Sequence, residues 1–512
     1  MSWADGYVSE IGYTYGYYPD LGPGLLRLAC LSAGVAPPPP GPLNYLELGY
    51  GQGVSINIHA ATIGGQFWGT DFNPAQAAHA RSLADASNSG AVLLDDSFVD
   101  LAARTDLPEF DVIGLHGTWS WVSDDSRRAI VDIIRRRLRP GGIVYLSYNC
   151  SPGWAHAIPL RHLMALHAEV AGGEGGGIVN KINAALAFSQ RVVDAGAFHF
   201  RINTRAADWL KTIQGQDRAY LAHEYFNRDW AVMPFSEVAR WLNDAKLSFV
   251  ATSRLIDHVD SVSLTPEWQT LLAEQTNPVM KQSVRDYLLN QQFRRDVFVK
   301  GPRPLSAVDR LEAWRAQPFI LTNHPDDIAM KTGGAMGEIT LQEPMFRPVI
   351  EILAQKSYAP KTVGELVSHP KLQGRPIEDI ISALLILVSD GNAHPAQPVT
   401  KVQRERSDAL NMHICRRARG GRQLNFLASP VTGSGIGADQ FQQLFLLALD
   451  EGKKTIAEQA AFAWAALLGQ GQALLKAGKV LATAEENIAE LSRHATVFAE
   501  KRLPLLKALG IA

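Results

Sequence analysis

The stretch Glu47-Leu48-Gly49-Tyr50-Gly51-Gln52-Gly53 decides the fold class of this 512-residue chain. It ends an apolar segment, Leu43–Leu48, that is typical of a buried strand, and it precedes the helix-compatible segment 54–61. Glycines at alternate positions let the backbone turn sharply and approach a ligand, which a Cβ would prevent. In the dinucleotide fingerprint G-x-G-x-x-G the third glycine would fall at Val54, whereas in this chain the third glycine is Gly53. The spacing therefore predicts a cofactor loop and disfavours NAD.

Apolar and helix-compatible segments alternate outward from this loop, as far as Cys150. The apolar segments, which we predict to be parallel strands, are 43–48, 65–71, 91–94, 110–115 and 142–148. Helical patterns lie between them, notably over 73–87 and 124–138. This alternation predicts an α/β, doubly wound, Rossmann-like sheet with its ligand at the carboxyl ends of the strands.

Acidic residues follow the second and third predicted strands. Asp71, with Phe72 and Asn73 after it, stands where a carboxylate accepts both hydroxyls of a ribose. Asp96 is followed by Ser97 and Phe98, so a carboxylate can accept from an adenine amino group while a ring stacks on the base. Asp71 alone would also suit an NAD enzyme. Together with the loop, these groups favour a nucleoside cofactor over a purely structural turn.

Composition excludes several classes of protein. Hydrophobic residues make up 46% and charged residues 20% of the chain, and the net charge is −2, so neither disorder nor a global attraction to nucleic acid is expected. Cys30, Cys150 and Cys415 form no CxxC pair and no disulfide framework. The N-terminus lacks a signal-peptide pattern, and the longest apolar stretch, 377–388, contains acids. We expect a cytoplasmic protein without a membrane span or a metal site.

Beyond residue 155 the pattern becomes mostly helical. Proline-rich or glycine-rich segments at 37–40, 172–177, 301–304 and 432–437 are candidate boundaries or loops. Segment 361–389 predicts two helices joined by a short turn, as in winged-helix modules. Segment 439–512 is helical by period, and 483–486 resembles a capping box.

Two segments carry a family resemblance. HGTWSWVSDDSRRAIVDIIRRRLRPGGIVYLSYNCSPGW at 116–154 and EYFNRDW at 224–230 resemble bacterial methyltransferases with a so-called regulatory domain, which include the rickettsial outer-membrane-protein lysine methyltransferases. The resemblance implies S-adenosylmethionine as cofactor, a possible homodimer and four parts around an open cavity. These parts are a methyltransferase domain with an N-terminal lid (1–155), a helical dimerisation segment (156–204), a regulatory or middle domain (205–318) and a C-terminal domain with a winged-helix-like part (319–512). Tyr50 departs from the small residue or cysteine of many methyltransferases.

The strand ends supply two sets of candidate site residues. The cofactor-binding set is Tyr15, Tyr17, Glu47, Gly49, Gly51, Gln52, Gly53, Asp71, Phe72, Asn73, Asp96, Ser97, Phe98 and His116. The catalytic set is His116, Trp119, Tyr148, Asn149 and Trp154. Methyl transfer needs alignment and removal of a proton from the acceptor, so His116 can accept that proton, hold the methionine end of the cofactor, or serve as a structural histidine.

Alternatives stay open for the other candidates. Many amino methyltransferases carry an N/D-P-P-Y motif at the end of the fourth strand, where its polar oxygens accept hydrogen bonds from the amine. This chain has no such motif there, and Tyr148 and Asn149 offer similar groups after the fifth strand. Trp119, Trp121 and Trp154 either wall an acceptor pocket or belong to the core. The N-terminal tyrosines either cover the cofactor as a lid or pack an N-terminal helix, and they are Tyr13, Tyr15, Tyr17 and Tyr18.

Three functions are compatible with this sequence. The leading prediction is a protein lysine methyltransferase, followed by a small-molecule methyltransferase and by a non-catalytic scaffold that binds the cofactor. The basic residues in 401–422 favour a solvated face or an acidic partner over nucleic acid.

Overall fold

A seven-stranded mixed sheet contains the strand that ends at the glycine loop. The computed structural model describes residue 7 and residues 14–171, 177–334, 337–421 and 424–512. The strands of the sheet are β1 (Leu43–Leu48), β2 (Gly65–Thr70), β3 (Val92–Leu94), β4 (Phe110–Leu115), β5 (Leu138–Asn149), β6 (Leu247–Thr252) and β7 (Phe293–Lys300). They lie in the order β3-β2-β1-β4-β5-β7-β6, and β7 runs antiparallel to both of its neighbours.

The first five strands and their helices match the predicted Rossmann-like alternation. The helices are α1 (Pro23–Ser32), α2 (Val54–Thr62), α3 (Pro74–Ser87), α4 (Phe98–Ala103) and α5 (Asp124–Arg137), with 3-10 turns at Pro19–Leu21 and Trp119–Trp121. Asn73 caps α3 by accepting from the Ala75 N–H at 3.0 Å. Helix α5 ends at Arg137, close to the end predicted at residue 138, and the Arg-Pro-Gly-Gly segment that follows belongs to the first part of β5.

The last two strands of the sheet come from a part of the chain that the sequence pattern marks as helical. β5 pairs with β7 from Ile143 with Val299 to Asn149 with Phe293, so residues of the predicted middle domain complete the sheet. The boundary at residue 155 therefore does not enclose the whole sheet. The helices of this part are α6 (Ile158–Val170), α7 (Gly177–Asp194), α8 (Phe198–Ile202), α9 (Thr204–Gln214), α10 (Arg218–Tyr225), α11 (Phe235–Asn243), α12 (Asp260–Ser263), α13 (Pro266–Ala273), α14 (Pro278–Leu289) and α15 (Ala307–Ala316), with a 3-10 turn at Leu255–His258.

The C-terminal part is largely helical with four small antiparallel sheets. Its strands are β8 (Pro318–Leu321), β9 (Lys331–Gly334), β10 (Gly337–Thr340), β11 (Lys361–Thr362), β12 (Ala393–Pro395), β13 (Phe426–Ser429), β14 (Ser434–Gly437), β15 (Leu475–Lys476) and β16 (Lys479–Val480). Its helices are α16 (Glu343–Tyr358), α17 (Val363–Val367), α18 (Ile377–Ser389), α19 (Lys401–Ala418), α20 (Gln440–Asp450), α21 (Ile456–Gly469), α22 (Ala484–Val497) and α23 (Leu503–Ala508). The remaining turns are 3-10 at Pro325–Asp327 and Pro370–Leu372, and π-helical at Phe498–Arg502.

The C-terminal part contains the helix pair predicted at 361–389, as α17 and α18, and the predicted capping box at Thr483 and Glu486, which begins α22. Segment 432–437, predicted as a boundary or a loop, forms a largely buried hairpin turn and strand β14. The predicted glycine boundary at 172–177 falls almost wholly outside the described residues, as do Tyr13 and Arg422.

The C-terminal part packs against the cofactor half of the sheet. All residues of α2 are buried, because α19 and the hairpin β13–β14 cover the face that points away from β1 and β2. The basic segment is helix α19, and Arg417 donates to His79 of α3 at 3.1 Å. None of the helices in the described ranges has the length and apolar character that crossing a bilayer requires.

Candidate functional site

A cavity of about 350 Å³ lies at the carboxyl ends of β1 to β4, where a doubly wound sheet holds its ligand. Ten of the predicted residues line it, and they are Glu47, Gly49, Gly51, Gln52, Asp71, Phe72, Asp96, Ser97, Phe98 and His116. The walls also contain residues outside the predicted sets, among them Tyr7, Gly16, Tyr18, Tyr50, Gln76, Gly117, Thr118, Trp121 and Asp229.

The glycine loop has the backbone conformation that its spacing predicts. Gly49 has φ +78°, and a Cβ there would lie 2.5 Å from Thr118 Oγ1. Gly53 has φ +72° at the start of α2, and its Cβ would lie 2.4 Å from the Cβ of Ala80 on α3. Gly53 therefore allows close helix packing beneath the loop, whereas Gly49 and Gly51 face the cavity.

Asp71 is held in a ring of nitrogen donors. Its carboxylate accepts from the Gly51 N–H at 2.9 Å and from the Asn73 N–H at 3.1 Å. The Gln76 amide nitrogen adds a donor 2.9 Å from Oδ1 and 3.1 Å from Oδ2. Burial raises the pKa of Asp71 to about 6 and the two backbone donors lower it, so the carboxylate is ionised at neutral pH.

The third strand end provides the second predicted acid. Asp96 forms an ion pair with Arg104 at 3.1 Å, and the partly buried ring of Phe98 stands beside it in the cavity wall. Tyr50 lies over Gly69, where a Cβ would come within 2.7 Å of its ring, and its hydroxyl donates to the Leu94 carbonyl at 2.6 Å. The large residue in the loop is thus accommodated by a glycine in β2.

Glu47 is a buried acid at the base of the cavity. The hydroxyl of Tyr45 donates to its Oε2 at 3.3 Å, and burial raises its pKa to about 8. A carboxyl group with that pKa carries a proton at neutral pH, so Glu47 can donate a hydrogen bond as well as accept one.

His116 is bound in a chain of hydroxyl groups. The Gly117 N–H donates to Ser147 Oγ at 2.8 Å, and the Tyr145 hydroxyl lies 2.8 Å from His116 Nδ1. A hydrogen bond donated by the Tyr145 hydroxyl would place the ring hydrogen of His116 on Nε2, where it can be offered to a ligand. Burial lowers the pKa of His116 to about 4. At neutral pH the imidazole is therefore uncharged.

The two tryptophans around Ser120 point to opposite sides of a 3-10 turn. Trp119 is fully buried, with Nε1 3.4 Å from Met233 Sδ and its ring edge-on to Trp241 at 6.0 Å. Trp121 lines the cavity, and its buried Nε1 has no hydrogen-bond partner among the described residues. The predicted aromatic wall is thus contributed by Trp121, while Trp119 belongs to the core.

The remaining catalytic candidates lie outside the cavity wall. The buried Tyr148 hydroxyl donates to Asp296 Oδ2 of β7 at 2.8 Å. Trp154 packs in the core of the helical region, 5.4 Å from the ring of Trp230. Asn149 is buried at the end of β5, where its N–H donates to Ser120 Oγ at 2.8 Å.

The N-terminal tyrosines alternate between the cavity side and the opposite side of their segment. Tyr18 lies in the cavity wall and stacks on His116 at 4.2 Å between ring centroids. Tyr17 is buried on the other side, 5.0 Å from the ring of Phe426, and Tyr15 is partly exposed beside His79. The segment thus crosses the cavity with Gly16 and Tyr18 facing it, whereas the predicted ligands Tyr15 and Tyr17 face away.

Glu224 of α10 is a functional candidate that the sequence reasoning missed. The Asn149 amide donates to Glu224 Oε1 at 3.4 Å, and burial raises the pKa of Glu224 to about 7. The family resemblance includes segment 224–230, but no pattern in the sequence indicates that Glu224 contacts the end of β5, 75 residues away along the chain.

Two families match separate segments of the chain. The family described as "Methyltransferase domain" matches residues 46–142, which contain the end of β1, the glycine loop and β2 to β4. The family described as "Predicted methyltransferase regulatory domain" matches residues 217–300, which contain α10, β6 and β7.

Individual relatives extend this likeness to the whole chain. "Uncharacterized protein sll1526" from Synechocystis sp. is 39% identical over 517 residues, covering 100% of both chains. "Uncharacterized protein RP028" from Rickettsia prowazekii is 32% identical over 149 residues, covering 29% of this chain and 59% of its own length. The structure of PKMT2 from Rickettsia typhi in complex with AdoHcy superposes with a TM-score of 0.69 at 18% identity, covering 95% of this chain and 98% of the other.

Proposed function

This chain belongs to the methyltransferases that carry a predicted methyltransferase regulatory domain, and from that premise we propose that it methylates lysine side chains of a protein. S-adenosylmethionine is its cofactor, as the match of the methyltransferase domain over the glycine loop implies. The proposal of a lysine acceptor is supported by the fold that this chain shares with PKMT2 from Rickettsia typhi over nearly its whole length. That likeness includes the helical and C-terminal parts and not the sheet alone.

The cavity fits a nucleoside bearing a charged chain. When bound, S-adenosylmethionine supplies an electrophilic methyl group on a sulfonium sulfur. The donors around Asp71 keep its carboxylate in position to accept both ribose hydroxyls, and Phe98 with Asp96 provides a ring and an acceptor for the base. Gly117 has open space where a Cβ would stand, so a ligand can lie directly on its backbone.

His116 and Trp121 suit the end of the cavity that lies toward β4 and β5. The ring N–H of His116 and the Nε1–H of Trp121, which has no partner in the described part of the chain, suit the carboxylate of the cofactor or an oxygen of the acceptor backbone. The ring of Tyr18 fixes the plane of His116 by stacking, so that this donor keeps one direction. These groups align the reactants and exclude water, which is the main demand of methyl transfer.

A labelling experiment tests the acceptor class. The full-length protein is incubated with S-adenosylmethionine carrying a labelled methyl group and with a cell lysate separated into protein and small-molecule fractions. We expect label on proteins, and mass spectrometry should locate it on lysine residues. The Asp71→Ala variant, which removes the ribose acceptor, should leave the protein fraction unlabelled. Label confined to small molecules would replace the lysine proposal with the metabolite alternative.

A further inference from the structure

Glu224 has no basic partner among the residues that the structure describes. Its carboxyl group is half-buried, and within the described part of the chain burial and the Asn149 amide are the influences on its pKa. The helices α6 and α7 pack against α10, yet no charged side chain in the described part of either contributes to that pKa. A carboxylate taken out of water without a cation is costly, so such a site is preorganised to receive a cation.

In the described part of the chain, the hydroxyl groups of three tyrosines respond to the charge of Glu224. Tyr220 and Tyr225 lie on its own helix and Tyr7 on the N-terminal segment, and the negative charge of Glu224 contributes to raising the pKa of each hydroxyl. Arg161 of α6 is engaged elsewhere, since it donates to the carbonyls of Tyr225 and Asn227. A carboxylate without a paired cation, in a neighbourhood of tyrosines, suits an alkylammonium group, which pairs with the charge and can pack on an aromatic ring.

Tyr7 lines the cofactor cavity and connects it to Glu224, which is not itself part of the cavity wall. The ring of Tyr7 lies 5.5 Å from that of Phe72 in the cavity wall and 5.5 Å from that of His223, the neighbour of Glu224. On the other side, Asn149 joins Glu224 to the end of β5, next to the turn that carries Trp121. The Ala231 N–H donates to the Ser120 carbonyl at 2.7 Å, which fixes the segment after α10 to the same edge of the sheet.

We propose that Glu224 binds the ammonium group of the acceptor and takes its proton before methyl transfer, an assignment that rests on the amine acceptor of the proposed function. The proton moves from the ammonium nitrogen to the Glu224 carboxylate, which leaves a neutral amine. The amine nitrogen forms a bond to the methyl carbon while the carbon–sulfur bond breaks, and its electron pair stays on sulfur. Glu224 then releases its proton to water.

The burial of Glu224 makes it suitable for this role. The pKa of about 7 lies closer to the pKa of an amine than that of an exposed glutamate would, so proton transfer from the ammonium is less unfavourable. His116, with a pKa of about 4, is a much weaker acceptor of the same proton. Asn149, predicted as a catalytic residue, becomes a positioning residue that orients the carboxyl group.

A binding measurement tests the site independently of turnover. The probe is n-butylamine, whose chain and amine match the end of a lysine side chain, and the protein is saturated with S-adenosylhomocysteine. Calorimetry should detect amine binding that strengthens as the pH rises from 6 to 8, and Glu224→Gln should weaken it at least tenfold. Glu169→Gln, at an exposed glutamate of α6, is the matched control. Equal amine affinity in the Glu224→Gln variant and the wild type would overturn the proposal, even if the acceptor protein is never found.

Kinetics provide the second measurement. With a randomised library of lysine peptides, Glu224→Gln should lower kcat about a hundredfold or more and abolish the rise of kcat/KM with pH near 7. Glu224→Asp should restore part of both, and affinity for S-adenosylhomocysteine should stay unchanged, which shows that the variants are folded. An unchanged pH profile in the Glu224→Gln variant would overturn the assignment while leaving lysine methylation intact. A wild type that methylates no lysine would instead contradict the proposed function, and the amine-binding result would still decide the role of Glu224.

Discussion

The glycine-loop region and the helical region after β5 hold a carboxyl group in opposite ways. Around Asp71 the loop and α3 supply two backbone N–H donors and an amide, so the charge is balanced before any ligand arrives. Around Glu224 the described residues supply the Asn149 amide and no cation, so they leave the charge without a balancing partner. The first arrangement suits a ligand that donates weak hydroxyl hydrogen bonds, and the second suits a cation. The same edge of the sheet is therefore suited to bind hydroxyl groups at Asp71 and a cation at Glu224.

The largest expected effect comes from removing the C-terminal part, because contacts within the glycine-loop region do not by themselves bury helix α2. Every residue of α2 is buried, and α19 with β13–β14 supplies one side of that burial. A chain ending at residue 318 should expose this apolar face and lose cooperative unfolding together with cofactor binding. Circular dichroism on heating and calorimetry with S-adenosylhomocysteine measure both properties.

A truncated chain that still binds the cofactor would contradict this dependence. It would show that the seven-stranded sheet with its helices forms a unit independent of the C-terminal part, as the domain boundary predicted at residue 318 implies. Ser407→Asp offers a smaller perturbation of the same interface, since Ser407 is fully buried and its hydroxyl lies 3.4 Å from the Ala61 carbonyl.

The contrast between the two regions also explains which parts of the site sequence reasoning reached. The loop and Asp71 follow apolar strands whose ends meet at one sheet edge, so short-range pattern was enough to predict ten cavity residues. Glu224 depends on a contact across 75 residues, and β6 and β7 join the sheet from a segment whose pattern is mostly helical. Pattern also cannot separate Trp119 from Trp121, because only the 3-10 turn decides which of them faces the cavity.

The second prediction uses these two tryptophans to separate packing from ligand contact. Trp119→Ala should lower the free energy of unfolding by about 3–5 kcal/mol, since it removes a fully buried indole from the core. Trp121→Ala should change stability far less but reduce turnover about tenfold, because it removes a ring and an N–H donor from the cavity wall. Denaturant unfolding and steady-state kinetics on both variants measure the difference. Equal losses of stability would place both rings in the core.

The third prediction concerns the charge-balanced carboxyl group. Asp71→Ala should weaken binding of S-adenosylmethionine by about 1.5–3 kcal/mol, because both ribose hydroxyls lose their acceptor. Calorimetry measures the affinity, and Asp85→Ala, which lies late in α3, is the control. An unchanged affinity would remove Asp71 from the cofactor site and with it one half of the contrast with Glu224.

The same carboxyl group should give the cofactor affinity a pH dependence. Burial raises the pKa of Asp71 to about 6, so the carboxylate becomes protonated as the pH falls below 6 and accepts hydroxyl hydrogens less well. Affinity should therefore be constant from pH 7 to 8 and fall below pH 6, by at most tenfold per pH unit. In Asp71→Asn this limb should disappear, and its persistence would assign the titration to another group.

The smallest effect is expected at Tyr17, whose position tests how the N-terminal segment joins the two sides of the molecule. Its hydroxyl lies 3.4 Å from His59 Nε2 and its ring packs on Phe426, away from the cavity that the neighbouring Tyr18 lines. Tyr17→Phe keeps the ring and removes a buried hydroxyl with its hydrogen bonds, so the free energy of unfolding should fall by at least about 0.5–1.5 kcal/mol. Affinity for S-adenosylhomocysteine should stay within twofold of the wild type, whereas Tyr18→Ala, which removes the ring stacked on His116, should weaken it more. Thermal unfolding and calorimetry on the two variants measure both quantities. If Tyr17→Phe weakens cofactor binding as much as Tyr18→Ala does, then Tyr17 serves the cofactor as the sequence predicted, and contacts of the C-terminal part reach the cavity through this residue.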